Sequence, residues 1–286
     1  MKKIILGLTT SLTLTVLQVN AQQYSQFSQN TFLNLSFNPG YAGTNDTAFS
    51  STGVYRNQWV GFSGAPKTFL FCADAPIKAL HGGGGIKFIN DQLGNFNFTK
   101  VGAAYSYHLR LGKKGLLGVG LEGELGQTFV TSNWLTPFGT VITNPNTINT
   151  NYNFGLGSYY RTERLYIGIS STNLLSPKYY LTAGYDFHFF SRIKVVPSVL
   201  IKSGAAVTTI EPNLTVHWNN MIWVGTSYRL QDAIVVMAGF GLHISKSSTL
   251  KIGYAYNIGT SDLKAYHNNT HELLMNYSLN IKKKSE

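Results

Sequence analysis

Several short stretches of this chain bring together groups that do chemistry in other settings. His271-Glu272 sets a base beside a carboxylate, the start of a proton relay. HGGGGIKF (81–88) shares its composition with loops that cradle phosphate, and NDQLGN (90–95) shares its composition with a cation loop around Asp91. Cys72 is a lone thiol, and Tyr55-Arg56-Asn57-Gln58-Trp59 crowds donors and aromatic rings side by side. Spacing removes most of these candidates. Neighbours on a strand point to opposite faces, so His271 and Glu272 cannot share one relay without a third group. The glycine run lacks the Lys-Ser/Thr ending of a phosphate loop and precedes a strand, so it reads as a flexible turn entering that strand. Asp91 lacks the ligand spacing and closing Glu of an EF-hand. The histidines are scattered, with no HExxH and no Cys/His set at metal spacing. Cys72 reads as a small apolar side chain, and no nucleic-acid module accompanies the basic charge. The sequence therefore predicts no catalytic residue, no cofactor, no metal and no nucleic acid.

The elements that hold these residues follow from composition. The chain of 286 residues starts with MKKIILGLTTSLTLTVLQVNAQ: two lysines, an apolar and Thr-rich run from Ile4 to Val19, then Ala21. That pattern predicts a signal peptide over 1–21, cleaved after Ala21, because the run is too short and too polar for a spanning helix, which needs about 20 apolar residues. A chain leaving the cytoplasm with one cysteine forms no internal disulfide. Charged residues make up only 12% of the chain, roughly half the share in a soluble globular protein, while Gly (29), Tyr (17) and Phe (17) are abundant. No later segment offers 18 consecutive apolar residues, the least a spanning helix uses. Few charges, many aromatics and no apolar helix predict strands that are apolar on one face only, those of a transmembrane β-barrel.

Alternation supports this. Val101, Ala103, Tyr105, Tyr107, Leu109 and Leu111 share one face, against Gly102, Ala104, Ser106, His108 and Arg110. Leu117, Val119, Leu121, Leu125 and Phe129 face away from Gly118, Gly120, Glu122, Glu124 and Gly126, which puts Glu122 and Glu124 in the lumen. Ile234 to Ile244 and Leu250 to Ile258 repeat the pattern. A soluble sandwich also alternates, but its outward face is charged, and here the polar face is mainly Gly, Ala, Ser and Asn. The whole chain yields an all-β reading: a transmembrane antiparallel β-barrel of about 14 strands over 51–281, an even number. Residues 22–50 form an extended segment, periplasmic or plugging the lumen, and 282–286 a basic tail. Both termini are placed in the periplasm. Short junctions then lie on that side and gather Lys113, Lys114, Arg161, Arg164, Arg192, Lys246 and the final Lys282, Lys283 and Lys284 into a basic rim. Such a rim attracts an acidic partner or the cell-wall polymer, although charge runs are more often simply solvated faces.

Tyr55, Asn57 and Trp59 then fall on one face at the start of the first strand, and Arg56 and Gln58 on the other. Tyr55 and Trp59 suit a membrane interface. Arg56 and Gln58 point into the lumen, with Arg56 reaching toward Glu122 or Glu124. These residues also carry a resemblance. QQYSQF (22–27), NPGYAG (38–43), YRNQWVGFSGAPKTF (55–69), the glycine-rich step followed by ND and LG, AYSYHL (104–109), GYAYNIGTSDL (253–263) and HELLMNY (271–277) resemble, in order, the PorP/SprF family of outer-membrane proteins linked to type IX secretion and gliding in Bacteroidetes. The chain departs from the pattern at Gly40, where the family often has Ala, and in the end IKKKSE. The resemblance implies a non-enzymatic barrel in outer-membrane lipids that supports secretion or surface anchoring of cargo such as a gliding adhesin. It also implies contact with secretion components, periplasmic lipoproteins or peptidoglycan-associated proteins. A passive porin or solute channel is the alternative that the polar lumen face leaves open.

Overall fold

Strands with one apolar and one polar face cannot lie as an open sheet in a bilayer, because the edge strands would carry unpaired N–H and C=O groups into hydrocarbon. Closure removes both edges. The computed structural model describes residues 26–281 except 131–132, 136–140, 144–146, 205–206, 231 and 261–268. In it, fourteen strands form a closed antiparallel wall in which each strand pairs with its neighbours in the chain. They are β1 (Ala48–Asn57), β2 (Lys67–Ile77), β3 (Gly82–Leu93), β4 (Phe96–Leu111), β5 (Gly115–Val130), β6 (Thr147–Arg161) and β7 (Leu165–Ser171), followed by β8 (Tyr179–Tyr185, resuming after Asp186 as Phe187–Phe189). The circuit continues through β9 (Ile193–Ser203), β10 (Thr208–Trp218), β11 (Ile222–Arg229), β12 (Ala233–His243), β13 (Ser248–Gly259) and β14 (Thr270–Asn280). A small hairpin, Asn133–Leu135 with Val141–Thr143, stands in the connection from β5 to β6. β14 pairs with β1 to close the barrel, setting Val54 opposite Leu274 and Arg56 opposite Glu272.

Side chains sort as the alternation requires. On β5, Val119, Leu121 and Leu125 are exposed on the outside, while Glu122 and Glu124 between them are buried. The same holds on β12, where Ile234, Val236 and Phe240 point outward and Val235 and Met237 inward. This apolar outer band is what hydrocarbon contacts in a membrane barrel.

The two rims differ. Tight turns at 78–81, 112–114, 162–164, 190–192, 219–221 and 244–247 lie at the rim where β1 starts and β14 ends. Asn219 and Asn220 take left-handed φ of 50 and 56°, a conformation Asn tolerates better than most side chains. At the opposite rim the connections 58–66, 131–146, 172–178 and 260–269 are longer, but 94–95, 204–207 and 230–232 are as short as the turns. The length asymmetry is thus carried by four of the connections rather than by all of them.

The first strand needs correction. It begins at Ala48, three residues before the expected position, because Ala48, Phe49 and Ser50 pair with Asn280, Leu279 and Ser278. It stops at Asn57, where the Gln58 N–H bonds Pro66 O and Trp59 turns to a φ of 51°. Tyr55-Arg56-Asn57 therefore ends the strand at the loop rim instead of opening it. Gln58 and Trp59 leave the alternation altogether.

Candidate functional site

Residues 26–44 lie inside the barrel and run through it. Gln26 is at the loop rim, where its side-chain carbonyl accepts from Arg229 Nη1 at 3.0 Å, beside the end of β11. Thr44 is at the turn rim, two residues before Asp46 pairs with Arg110 near the end of β4. Gln26 and the end of β14 therefore occupy opposite rims. The two ends of the mature chain, expected on one side, lie outside the described residues. A sequence reads the start of the first strand and not the path leading to it.

Between the rims the segment forms a one-turn helix, α1 (Asn34–Phe37), flanked by single 3₁₀ turns at Asn30–Phe32 and Pro39–Tyr41. Asn38 caps the second turn, its Oδ1 accepting from Gly40 N at 2.8 Å. Phe27, Leu33, Leu35, Phe37 and Ala42 pack with Val54, Leu70, Cys72, Leu200 and Leu274 of the wall. Cys72 is thus a buried apolar contact. The barrel has a hydrophobic core, contributed by its own N-terminal segment.

Polar contacts hold the two ends of this segment differently. At the loop rim Glu272, fully buried, accepts from the backbone N–H of Ser28 (2.8 Å) and Gln29 (2.9 Å) and pairs with Arg56 at 3.4 Å. Glu211, equally buried, pairs with Lys202 at 3.4 Å and Arg229 at 3.2 Å. Without its cations and N–H donors, either carboxylate would be an uncompensated charge in a low-dielectric interior. At the turn rim NPGYAG lies against glycines. The Ser106 hydroxyl donates to Gly40 O (2.9 Å), Gly43 N donates to Asp74 (2.9 Å), and His108 Nε2 lies 3.0 Å from Ala42 O. A Cβ on Gly40 would stand 2.9 Å from the carbonyl oxygens of both Gly118 and Gly157, so the Ala of the family pattern would not fit this chain without a shift. On the wall side, a Cβ on Gly83, Gly118, Gly120 or Gly157 would collide with Ala42, Gly40, Pro39 or Asn38. The run Gly82–Gly85 is therefore not a flexible turn. It is the first part of β3, and Gly83 and Gly85 face inward so that backbone and Leu35 can approach.

The residues singled out from sequence are dispersed among these groups. Arg56 is lumenal and buried, but its partner is Glu272, not Glu122 or Glu124. Barrel closure makes β14 the neighbour of β1, whereas Glu122 and Glu124 lie several strands away on β5. Glu122 and Glu124 are held by Lys87 at 2.7 and 2.8 Å, and Lys100 takes the other oxygen of Glu124 at 2.8 Å. Asn153 bridges Glu124 to Thr172 O. Gln58 stands half-exposed in the loop. Tyr55 points outward near the loop rim, and Trp59 lies in the 58–66 connection, where Trp59, Val60, Gly61 and Phe62 border a recess of about 490 Å³. Lys113, Lys114, Arg161, Arg164, Arg192 and Lys246 all lie in or beside the tight turns of one rim. Lys282, Lys283, Lys284 and residues 1–21 lie outside the described residues. The buried carboxylates Glu211 and Glu272, which organise the interior, carry a sequence signal: each is an acid on the polar face of an alternating strand. Among the described residues, no three His, Cys, Asp or Glu side chains gather to hold a metal.

A closed fourteen-stranded wall with an apolar outside and a polar, charge-paired inside defines an outer-membrane β-barrel. The fold is shared with the CymD monoaromatic hydrocarbon channel (TM-score 0.56, 10% identity, covering 91% of this chain and 94% of that one). It is shared too with the toluene transporter TbuX of Ralstonia pickettii (0.54, 10%, 87% and 93%) and the toluene transporter TodX of P. putida (0.51, 11%, 86% and 93%). At such identities the likeness is one of architecture alone. No curated protein matches the sequence. The sequence does match the family described as type IX secretion system membrane protein PorP/SprF over residues 19–277, and the chain belongs to that family. It is an outer-membrane component of type IX secretion, associated with membrane lipids and with other parts of that system.

Proposed function

We propose that this barrel is a non-enzymatic part of the secretion apparatus that supports export or cell-surface anchoring of a cargo protein, such as a gliding adhesin. In this reading the segment 1–21 is removed near Ala21, and the tight-turn rim faces the periplasm. There Lys113, Lys114, Arg161, Arg164, Arg192, Lys246 and the tail Lys282-Lys283-Lys284 meet periplasmic lipoproteins or peptidoglycan-associated proteins. Tyr55 and Trp59 serve as interfacial anchors at the other rim.

The observation that carries the reading is the filled lumen. Ser28, Gln29 and Leu33 are wholly buried inside the wall, and moving them aside would take two N–H donors from the buried Glu272 carboxylate and the Ser28 hydroxyl from Arg56. A lumen packed with its own chain is poorly suited to passive diffusion. It suits a protein whose rims and loops do the work, and this weighs against the porin or solute-channel alternative despite the hydrocarbon channels that share the fold. Among the described residues, the buried acids are each engaged by a cation or a backbone N–H.

Two measurements test this. Reconstituted in a planar bilayer, the protein is expected to show no steady conductance, and a stable open level would favour the channel. Deleting the gene is expected to remove a particular surface protein while solute uptake stays unchanged. Gentle affinity purification that recovered neither a secretion component nor a surface protein would count against the anchoring role.

A further inference from the structure

At the turn rim the inner segment leaves a recess of about 230 Å³ between itself and the wall, roomy enough for several waters. Phe32 and Tyr41 of the segment line it on one side, and the ends of β6 and β10 and the starts of β9 and β13 on the other. Its charge is one-sided. Arg161 and Lys251 on strands, and Arg164 exposed in the turn after β6, border it, and among the described residues none of the three has an acidic side chain within ion-pair distance. Of the two acids bordering it, Asp186 is held by Lys194 at 3.1 Å, and Glu163 by Lys114 at 3.2 Å. Lys251 instead sits 5.7 Å above the Phe32 ring. A second, independent feature points the same way: the hydroxyl of Thr215, a residue 3% exposed in the lining, has no hydrogen-bond partner. Unneutralised cations and a spare hydroxyl lining one recess favour an anion, whose oxygens accept from N–H and O–H donors.

We infer that this recess binds a carboxylate-bearing stretch of an acidic peptide. Lipid headgroups are excluded by position, since the lining faces the lumen and not the outer band. The proposal rests on the functional reading above only for which partner presents the peptide; the binding itself is a property of the barrel. Arg161 and Lys251 are fixed on strands, so most of the site is formed before the ligand arrives.

The test uses the purified full-length protein in detergent and a fluorescein-labelled tetraglutamate peptide, followed by fluorescence anisotropy. Saturable binding is expected, weakening as salt rises and falling about tenfold in Lys251→Gln and in Arg161→Gln, as for loss of one charge-assisted bond. Lys113→Gln, exposed on the same rim and outside the recess, is expected to bind like the parent. Each variant is first checked for the heat-modifiable gel mobility of a folded barrel; if either Gln variant fails that check, Lys251→Arg, which keeps the charge, must fold and bind. The proposal is overturned by absence of binding, by equal affinity in the Gln variants, or by equal capture of tetralysine. Preference for a muramyl tripeptide over tetraglutamate would also overturn it, giving the recess to the cell wall. Because the assay needs no secretion partner, a positive result beside an unaltered secretion profile on gene deletion would separate this site from the proposed function.

Discussion

The two ends of the inner segment are fastened by opposite means. At the loop rim, Ser28 and Gln29 reach the wall through a buried carboxylate, Glu272, which gathers two backbone N–H groups and the Arg56 guanidinium. At the turn rim, Pro39 to Gly43 reach it through absence: Gly83, Gly118, Gly120 and Gly157 present no side chain, so backbone lies on backbone. The first attachment is electrostatic and depends on a few atoms. The second is mainly steric and spreads over three strands, with Asp74 and Ser106 adding a hydrogen bond each. A charge-based anchor is lost all at once when its carboxylate goes, whereas a packed one yields by local displacement, so the two ends should fail differently.

The largest effect is expected at the loop rim. Glu272→Ala leaves Arg56 charged, buried and unpaired and removes the acceptor for two N–H groups, a loss of about 3–5 kcal/mol. Thermal unfolding followed by the heat-modifiable mobility shift should report it, together with faster proteolysis within residues 26–44. A fully stable Glu272→Ala protein would show that the carboxylate does not anchor the segment.

Next in size is the turn rim. In Gly118→Ala the new methyl group meets the Gly40 carbonyl oxygen and the Ser106 hydroxyl, and such overpacking costs about 1–3 kcal/mol. The same measurement should rank it below Glu272→Ala; the reverse order would invert the comparison. Combining the two substitutions sharpens the comparison further. If the ends act independently, their effects add within about 0.5 kcal/mol. If losing either end frees the whole segment, the second substitution adds little, and the segment behaves as one unit.

Much of the wall was legible in the sequence, and for a clear reason. A membrane strand must alternate, so the runs Leu117 to Phe129 and Ile234 to Ile244 declare their two faces residue by residue, and fourteen strands follow within a few residues of their observed limits. The interior was less legible because it is built from contacts between distant positions. Arg56 and Glu272 are 216 residues apart, and only closure of the last strand on the first makes them neighbours; local alternation shows that each faces the lumen, not which one it meets. The glycines were misread for a related cause. Gly83 and Gly85 share a face with each other, and Gly118 and Gly120 likewise, a spacing of two that marks a wall bared for close approach. Tetraglycine taken as a unit hides that spacing. The path of residues 26–44 has no periodicity at all, so nothing local told a plug from a periplasmic tail.

The smallest effect belongs to the outside of the turn rim and serves as the reference for the others. Lys114 and Glu163 approach to 3.2 Å, but both side chains are about 70% exposed, so water screens the pair and the flexible side chains lose freedom to form it. Lys114→Ala should shift stability by less than about 1 kcal/mol, and raising the salt should erase the difference from the parent. Glu272→Ala, shielded inside the wall, should keep most of its deficit at the same salt. The salt response, more than the size of either change, distinguishes a charge that holds the inner segment from one that keeps a turn in water. If the Glu272→Ala deficit faded with salt in the same way, water would have to reach the Ser28–Glu272 contact, and the lumen would be open where the packing shows it filled.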